Sequence, residues 1–248
     1  MRNSITFKVS GDYALFTDPI TKIGGEKSTL MLPTYQALKG ICESIYWKPS
    51  IIWVVDRVKI LNKIQTESKG IRPIKYGGGN DLSRYLYLKD VEYIVKAHFE
   101  FNYNRPELKE DHNENKHYFI AKTSLEKGCR RDVFLGVRVC QAYVEPIEFD
   151  KEESHYDGVE MEFGMQYHSL SYPDENGRDK LLTKFWFPKM INGVIEFCRP
   201  EECPKEVEVG KRKFKVFNED NFTGLNEVQL LEGYDEEVIK GELDNNAL

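Results

Sequence analysis

Alternating apolar and polar residues mark residues 91–103 as the clearest strand of the chain. Its apolar positions are Val91, Tyr93, Val95, Ala97, Phe99 and Phe101. A period of two places these side chains on one face of a strand, while Lys96 and His98 lie on the other. The pattern predicts a strand with one face packed on a core.

Two segments have the features of helices. Thr34 can cap a helix that begins after Pro33, and Pro49 forbids its continuation. The apolar stripe of this helix is Leu38, Ile41, Cys42 and Ile45. Their i, i+3, i+4, i+7 spacing predicts a helix that packs on a sheet. A second helix is predicted over residues 116–127, where Gly128 can stop it.

Three further segments complete a recognisable order of elements. Residues 5–9, 51–61 and 133–144 are predicted strands, and residues 64–88 form an insertion with three glycines at 77–79. The resulting order, β-α-β-β-α-β, is typical of a ferredoxin-like (RRM-like) domain.

After residue 156 the pattern becomes an antiparallel meander. Strands are predicted at 159–172, 180–187 and 194–197, separated by a turn at 174–177 and an Asn192-Gly193 hairpin signal, with an edge strand at 212–216. We therefore expect an α+β protein with a ferredoxin-like domain (1–150), a small antiparallel β-sheet domain (151–220) and an acidic C-terminal tail (221–248).

The net charge of −6 is distributed unevenly. Residues 1–150 carry a net +4, and nine acids after Phe217 stand against Lys240 alone. Because local clusters decide phosphate binding, the total neither supports nor excludes an RNA ligand. The five scattered cysteines, together with the lack of a signal region or a long apolar stretch, predict reduced thiols in a cytoplasmic protein.

Several strings resemble the CRISPR-associated RAMP proteins of the fifth Cas family, Dvulg (type I-C) subtype. The first is the run from Phe7 to Pro19, FKVSGDYALFTDP. The others are Ile45-Tyr46-Trp47-Lys48-Pro49, Ala97-His98-Phe99, a Lys116-His117 pair at the start of the second helix, and Leu135-Gly136-Val137-Arg138. The resemblance covers most of residues 5–145.

The resemblance implies an endoribonuclease that cuts precursor crRNA at the base of the repeat hairpin. The catalytic set of the family, Tyr, Lys and His, falls on Tyr46, Lys116 and His117. In such a reaction the ribose 2′-OH attacks the neighbouring phosphate, which needs a base, a cation and an acid but no metal. An ordinary imidazole titrates near pH ~6.5, whereas the pKa of a phenol, near ~10, must fall for it to act as a base.

Three groups of basic residues are candidates for RNA contacts. They are Arg72, Lys75 and Arg84 around the glycine loop, Arg130, Arg131 and Arg138 after the second helix, and Lys96 with His98 on the predicted strand. A plain hairpin tip explains the first group equally well, and cover by the second domain explains His98 equally well. Without the resemblance, Tyr46 fits a core aromatic residue and the Lys116-His117 pair a solvated helix start.

The expected partners are precursor crRNA and the backbone and large subunits of the type I-C interference complex. No cofactor or metal is expected, because His112 and His117 lack the spacing of metal ligands and Cys198 and Cys203 lack the close pairing of a zinc knuckle. Two alternatives stay open. One is a non-catalytic RAMP subunit that caps the guide RNA, and the other is a ferredoxin-like protein that binds a small ligand.

One geometric objection applies to the catalytic set. If the two helices ran parallel, the end of the first and the start of the second would lie about 20 Å apart. Tyr46 and His117 would then share one phosphate only if the second helix were displaced or residues 104–115 carried the Lys116-His117 pair across.

Overall fold

The structure, a computed structural model, describes residues 3–21 and 25–213. Its strands are β1 (Ser4–Ala14), β2 (Ile51–Ile60), β3 (Thr66–Ile71), β4 (Ser83–Phe101), β5 (Tyr143–Pro146), β6 (Glu160–Glu162), β7 (Gln166–Ser171), β8 (Lys180–Trp186), β9 (Lys189–Ile191), β10 (Val194–Glu196) and β11 (Lys205–Lys211). Its helices are α1 (Tyr35–Ile45), α2 (Glu114–Glu126), α3 (Pro173–Asn176) and the 3-10 helices Pro106–Asp111 and Pro200–Glu202. The tail predicted at 221–248 lies outside the described residues.

The large sheet is built around the predicted ferredoxin-like core. Its strand order is β5-β1-β4-β2-β10-β9-β6, with β3 paired to the first half of β4, and all of these pairs are antiparallel. The four strands of the β-α-β-β-α-β pattern therefore have the ferredoxin-like order fourth, first, third, second. The α+β class is confirmed.

Strand β4 is the central strand of this sheet and carries the predicted apolar face. Val91, Tyr93, Val95, Ala97 and Phe99 are all buried. They pack in one core with residues of β1, β2 and α1. The helices cover this face of β4, whereas most side chains on its other face are only partly buried. This difference explains why apolar and polar residues alternate along the strand.

The two helices form where capping residues allow them to begin. The Thr34 side chain accepts a hydrogen bond from Ala37 N at 3.1 Å, and the predicted apolar stripe of α1 is buried. Helix α2 begins at Glu114, two residues before the predicted start, because Asn113 caps it through Lys116 N at 3.0 Å. No helix in the described part of the chain is long and apolar enough to cross a membrane.

The predicted strand at 133–144 was wrong for most of its length. Only Tyr143–Pro146 forms a strand there, and residues 137–140 make a turn closed by Cys140 N and Val137 O at 3.0 Å. Gly136 has φ +84°, and a Cβ at this position would clash with the Leu15 carbonyl oxygen. A close backbone approach therefore interrupts the apolar alternation.

The second half of the chain contributes to two sheets. Strands β7, β8 and β11 form a three-stranded antiparallel sheet, whereas β6, β9 and β10 extend the large sheet beyond β2. The strand predicted at 159–172 is split at Gly164, which has φ +67°. The Asn192-Gly193 hairpin is confirmed, with positive φ at both residues (51° and 74°). Within the described residues the final strand is Lys205–Lys211, and most of the strand predicted at 212–216 lies outside them.

Candidate active site

The end of α1 and the start of α2 lie at the same edge of the large sheet. Helix α1 leads into β2, β4 leads into α2, and Ile51 at the start of β2 pairs with Phe101 at the end of β4. Because β2 and β4 are antiparallel, the two helices run in opposite directions. The expectation of parallel helices with ends about 20 Å apart was wrong.

Tyr46 follows the last turn of α1 and is fixed by its backbone. It adopts extended geometry, its N–H donates to Cys42 O at 3.0 Å, and its carbonyl accepts from Trp53 Nε1 at 2.6 Å. These bonds join it to α1 and to β2. Its phenol points to α2, where the hydroxyl lies 2.8 Å from His117 Nδ1.

His117 is oriented by a second hydrogen bond. Its Nε2 lies 2.7 Å from the carbonyl oxygen of Asp111. A carbonyl can only accept, so in the neutral ring Nε2 carries the hydrogen and Nδ1 accepts from the Tyr46 hydroxyl. The rings of Phe99 and Phe101 lie 5.9 and 6.3 Å from the imidazole, centroid to centroid. The ring therefore presents its proton-accepting nitrogen to the phenol.

Lys116 and Asp111 form an ion pair beside this hydrogen bond. The Asp111 carboxylate also accepts from Ser50 Oγ at 2.5 Å and lies 3.5 Å from His117 Nε2. Lys116 and Ser50 lower the pKa of this carboxyl group. Three donors thus surround one anion at the start of α2, where free backbone N–H groups add positive potential.

Burial separates the members of this cluster. Tyr46 and His117 are both 0% exposed, whereas the Lys116 side chain is 47% exposed. Burial and the nearby Asp111 raise the pKa of Tyr46, and Arg130 opposes this shift. The lowered pKa that a free phenolate base requires is therefore not found, and the phenol acts here as a hydrogen-bond donor to His117.

Arg130 and Arg131 are held against the end of α1. The backbone N–H groups of both residues donate to Ser44 O at 3.1 Å, and the Arg131 guanidinium donates to Glu43 O at 3.1 Å. The Arg130 guanidinium lies 5.7 Å from the centre of the Tyr46 ring. Arg138 lies apart from them in the sequence, on the 137–140 turn, and is exposed.

The residues Arg72, Lys75 and Arg84 share the hairpin of β3 and β4. All three are exposed, Gly70 pairs with Arg84, and Lys75 lies 3.7 Å from Asp81. The glycine loop at 77–79 is therefore a hairpin tip with basic residues on its two arms.

Lys96 and His98 line a polar cleft on the opposite face of β4. His98 Nδ1 is 2.8 Å from Asp56 Oδ1 and its Nε2 is 3.3 Å from Glu100 Oε1. Arg199 in turn binds both oxygens of Glu100, at 2.8 and 2.9 Å. His98 is thus committed to an ion-pair network that joins β2, β4 and the residues after β10.

Two residues of the site were not predicted from the sequence. Ser50 and Asp111 had no signal beyond the acidity of residues 104–115, because their contact depends on the sheet edge that brings both beside α2. His112, a weak metal candidate, stacks on Phe101 with ring centres 4.6 Å apart. Tyr46, Lys116 and His117 are brought together as the family resemblance implied.

The fold and the site together define a ferredoxin-like RAMP protein with a buried Tyr-His pair and a lysine at one sheet edge. The chain belongs to the Cas5 family, because the family model described as CRISPR-associated protein (Cas_Cas5) matches residues 4–198. The family predicted from the sequence strings is confirmed.

Two relatives carry the name CRISPR pre-crRNA endoribonuclease Cas5d. One, from Mannheimia succiniciproducens, is 28% identical over 79% of this chain and 95% of its own. The other, from Thermus thermophilus, is 27% identical over 71% of this chain and 77% of its own.

Two solved structures share the fold. A CRISPR-associated protein is 38% identical with a TM-score of 0.71, and a functionally uncharacterized protein from Streptococcus mutans is 39% identical with a TM-score of 0.69. Each match covers 82% of this chain and 96% of the other.

Proposed function

We propose that this protein is an endoribonuclease that cleaves precursor crRNA at the base of the repeat hairpin. It then remains on the guide as a subunit of the type I-C surveillance complex, in contact with the backbone and large subunits. Family membership and the names of the two relatives support this activity. The observation that carries it in this chain is the 2.8 Å hydrogen bond between Tyr46 and His117.

The proposed reaction uses the RNA's own 2′-OH as the nucleophile. Its proton must be removed, the phosphorane charge stabilised and the departing 5′ oxygen protonated. These steps need no metal, and they leave a 2′,3′-cyclic phosphate and a 5′-hydroxyl. Free thiols at all five cysteines fit a cytoplasmic enzyme.

The Tyr46–His117 pair suits proton transfer as a relay. A phenol with a raised pKa is a poor independent base. When its own proton passes to His117 Nδ1 as it accepts the proton of the 2′-OH, no free phenolate has to form. In the reverse direction, the same pair can deliver a proton to the leaving oxygen. Both proton transfers use the hydrogen bond between the Tyr46 hydroxyl and His117 Nδ1.

The Asp111 carboxylate indicates where the phosphate would bind. It is surrounded by Lys116, Ser50 and His117, which are donors suited to a phosphate oxygen as well as to a carboxylate. We propose that the RNA phosphate displaces Asp111 at Lys116. That exchange requires the end of the 3-10 helix Pro106–Asp111 to shift, which would also release the Asp111 carbonyl from His117 Nε2.

Three groups of basic residues are proposed to hold the rest of the RNA. Arg130 and Arg131 lie beside the site at the end of α1. The arms of the β3–β4 hairpin, with Arg72, Lys75 and Arg84, and the Arg138 turn would contact the stem through phosphates. Lys96 and His98 could join only if the RNA opened their ion-pair network.

One observation favours the non-catalytic alternative. Tyr46 and His117 have no exposed surface, so RNA cannot reach them without a rearrangement. A subunit that only caps the guide would not need that rearrangement.

Incubation of the pure protein with a repeat-hairpin RNA in EDTA separates these functions. We expect cleavage by the parent and by His155→Ala, an exposed-histidine control, with loss of cleavage in His117→Ala. Tight binding without cleavage by the parent would establish the guide-capping role instead. Absence of both binding and cleavage would contradict each of these RNA functions and leave the small-ligand alternative.

A further inference from the structure

Three potential metal ligands meet near Tyr35 at the start of α1, whereas the proposed catalytic cluster lies at the end of this helix. His168 lies on β7, Cys198 follows β10, and Cys203 precedes β11. One ligand atom from each lies within 4.8 Å of the others. Within the part of the chain that the structure describes, no other three His, Cys, Asp or Glu side chains lie close enough to share one ion.

The sulfur–sulfur distance matches a tetrahedral zinc site. Cys198 Sγ and Cys203 Sγ are 3.7 Å apart. Two thiolates bound to one zinc at about 2.3 Å in tetrahedral geometry lie about 3.8 Å apart. A disulfide needs a sulfur–sulfur bond of about 2 Å, so the observed spacing fits a bridging ion.

The surroundings of His168 provide the support that a metal-binding imidazole requires. Its Nδ1 lies 2.9 Å from Ser169 Oγ, and its Nε2 lies 3.1 Å from the Cys198 carbonyl oxygen. Zinc would replace this carbonyl at Nε2, while the Ser169 contact at Nδ1 keeps the ring oriented. The Tyr35 ring stacks on the imidazole at 4.4 Å between centroids, and Trp186 packs edge-on at 5.3 Å. His168 itself is fully buried.

We propose that His168, Cys198 and Cys203 bind one Zn²⁺ ion. The ion would tie β7 of the three-stranded sheet to the segment that leaves β10 of the large sheet. Its role is structural, because none of its ligands contacts Tyr46, Lys116 or His117. The site was not predicted from the sequence, because His168 lies 30 residues before Cys198 and the Cys-x4-Cys spacing is wider than in a zinc knuckle.

Metal content of the full-length reduced protein tests this proposal without RNA. We expect about one zinc per chain as isolated, and its release when the thiols are alkylated. After removal of zinc, addition of Co²⁺ should give tetrahedral d–d bands and thiolate-to-cobalt charge-transfer absorption. Zinc should also raise the melting temperature.

Variants identify the ligands. Cys203→Ser and His168→Gln should each bind Co²⁺ more than about tenfold more weakly, while Cys129→Ser, which changes a cysteine outside the cluster, should bind it as the parent does. The alkylation experiment on the parent keeps the test valid if a ligand variant fails to fold.

Three results would overturn the zinc site. They are a reduced protein that contains no zinc and gives no cobalt spectrum, a Cys198–Cys203 disulfide in the native protein, and equal loss of metal in Cys129→Ser. Because none of these readouts involves RNA cleavage, failure here is distinguishable from failure of the proposed function.

Discussion

Tyr46 and His117 are hydrogen-bonded to each other, and each is also held in place by a second hydrogen bond. The backbone of Tyr46 is held by the last turn of α1, and the imidazole is held by the Asp111 carbonyl. With the neutral imidazole, the phenol donates and Nδ1 accepts, so a proton can pass from oxygen to Nδ1 and back along this hydrogen bond. Single-residue changes test this arrangement.

Replacing Tyr46 with Phe removes the relay oxygen and leaves His117 Nδ1 as a buried acceptor without its partner. We expect cleavage to fall by about 10²-fold or more and the free energy of unfolding to fall by about 1–3 kcal/mol. Single-turnover kinetics and urea unfolding measure the two effects. Tyr143→Phe, at an exposed tyrosine, is the matched control. Unchanged cleavage by Tyr46→Phe would remove the phenol from the mechanism.

Replacing Asp111 with Asn keeps the shape of the side chain and removes the charge that holds Lys116. If phosphate displaces this carboxylate, repeat RNA should bind up to about fivefold more tightly, in line with ~0.2–1 kcal/mol for a surface ion pair. Glu110→Gln makes the same charge change at a neighbouring exposed residue. Equal tightening by both variants, measured by fluorescence anisotropy, would point to general charge repulsion and contradict local displacement.

His98 should make the stability of the fold depend on pH. Its hydrogen bond to Asp56 is the main cause of a raised pKa, Glu100 adds to it, and burial opposes it. A raised pKa in the folded state gives stability that is fully present below about pH 6.5, the unfolded value, and is lost as the pH rises through the folded value.

His98→Gln should therefore destabilise the protein more at pH 6 than at pH 9 in urea unfolding experiments. His155→Gln changes an exposed histidine and serves as the control. An equal loss at both pH values would mean that His98 contributes through packing and neutral hydrogen bonds only.

Among the helices and strands, those with regular apolar spacing were predictable from the sequence, whereas contacts between distant backbone segments were not. The stripe of α1, the Thr34 cap and the buried face of β4 follow from side-chain spacing alone. The opposite directions of α1 and α2 follow from the element order, and that inference was missed. The turn at 137–140 depends on how near Leu15 comes to Gly136, which local sequence does not encode.

The residues of the site also divide into those predicted from the sequence and those recognised only in the folded structure. Tyr46, Lys116 and His117 were found through family strings. By contrast, Asp111 became visible only once the sheet edge was assembled, and its contacts with Ser50 and Lys116 join three segments of the chain. The His168, Cys198 and Cys203 cluster likewise joins elements of two sheets.

Substitutions at Gly128 and Gly136 can distinguish the cost of a left-handed backbone from the cost of a steric clash. Gly136 and Gly128 have nearly the same φ, +84° and +86°, but only Gly136 has a neighbour in the space where a Cβ would lie. Gly128→Ala should cost about 1–2 kcal/mol, the penalty of a left-handed conformation. Gly136→Ala should cost at least about 2 kcal/mol more. Thermal and urea unfolding measure both, and equal losses would show that the Leu15 approach relaxes freely.

At the scale of the whole molecule, positive charge lies close to the proposed site although the chain is acidic overall. Arg130, Arg131 and Lys116 lie around the adjoining ends of α1 and α2, and the β3–β4 hairpin adds a second basic surface. The net charge of −6 is therefore compatible with a phosphate ligand, because binding depends on these local groups.

In the proposed reaction the ribose of the substrate performs the cleavage. The most direct measurement compares an all-ribose repeat hairpin with one that carries a single 2′-deoxy nucleotide on the 5′ side of the mapped scissile phosphate. Binding of the two RNAs should be similar. We predict that the all-ribose RNA is cut to a 2′,3′-cyclic phosphate and that the deoxy RNA stays intact. Cleavage of the deoxy RNA at the same bond would contradict the account.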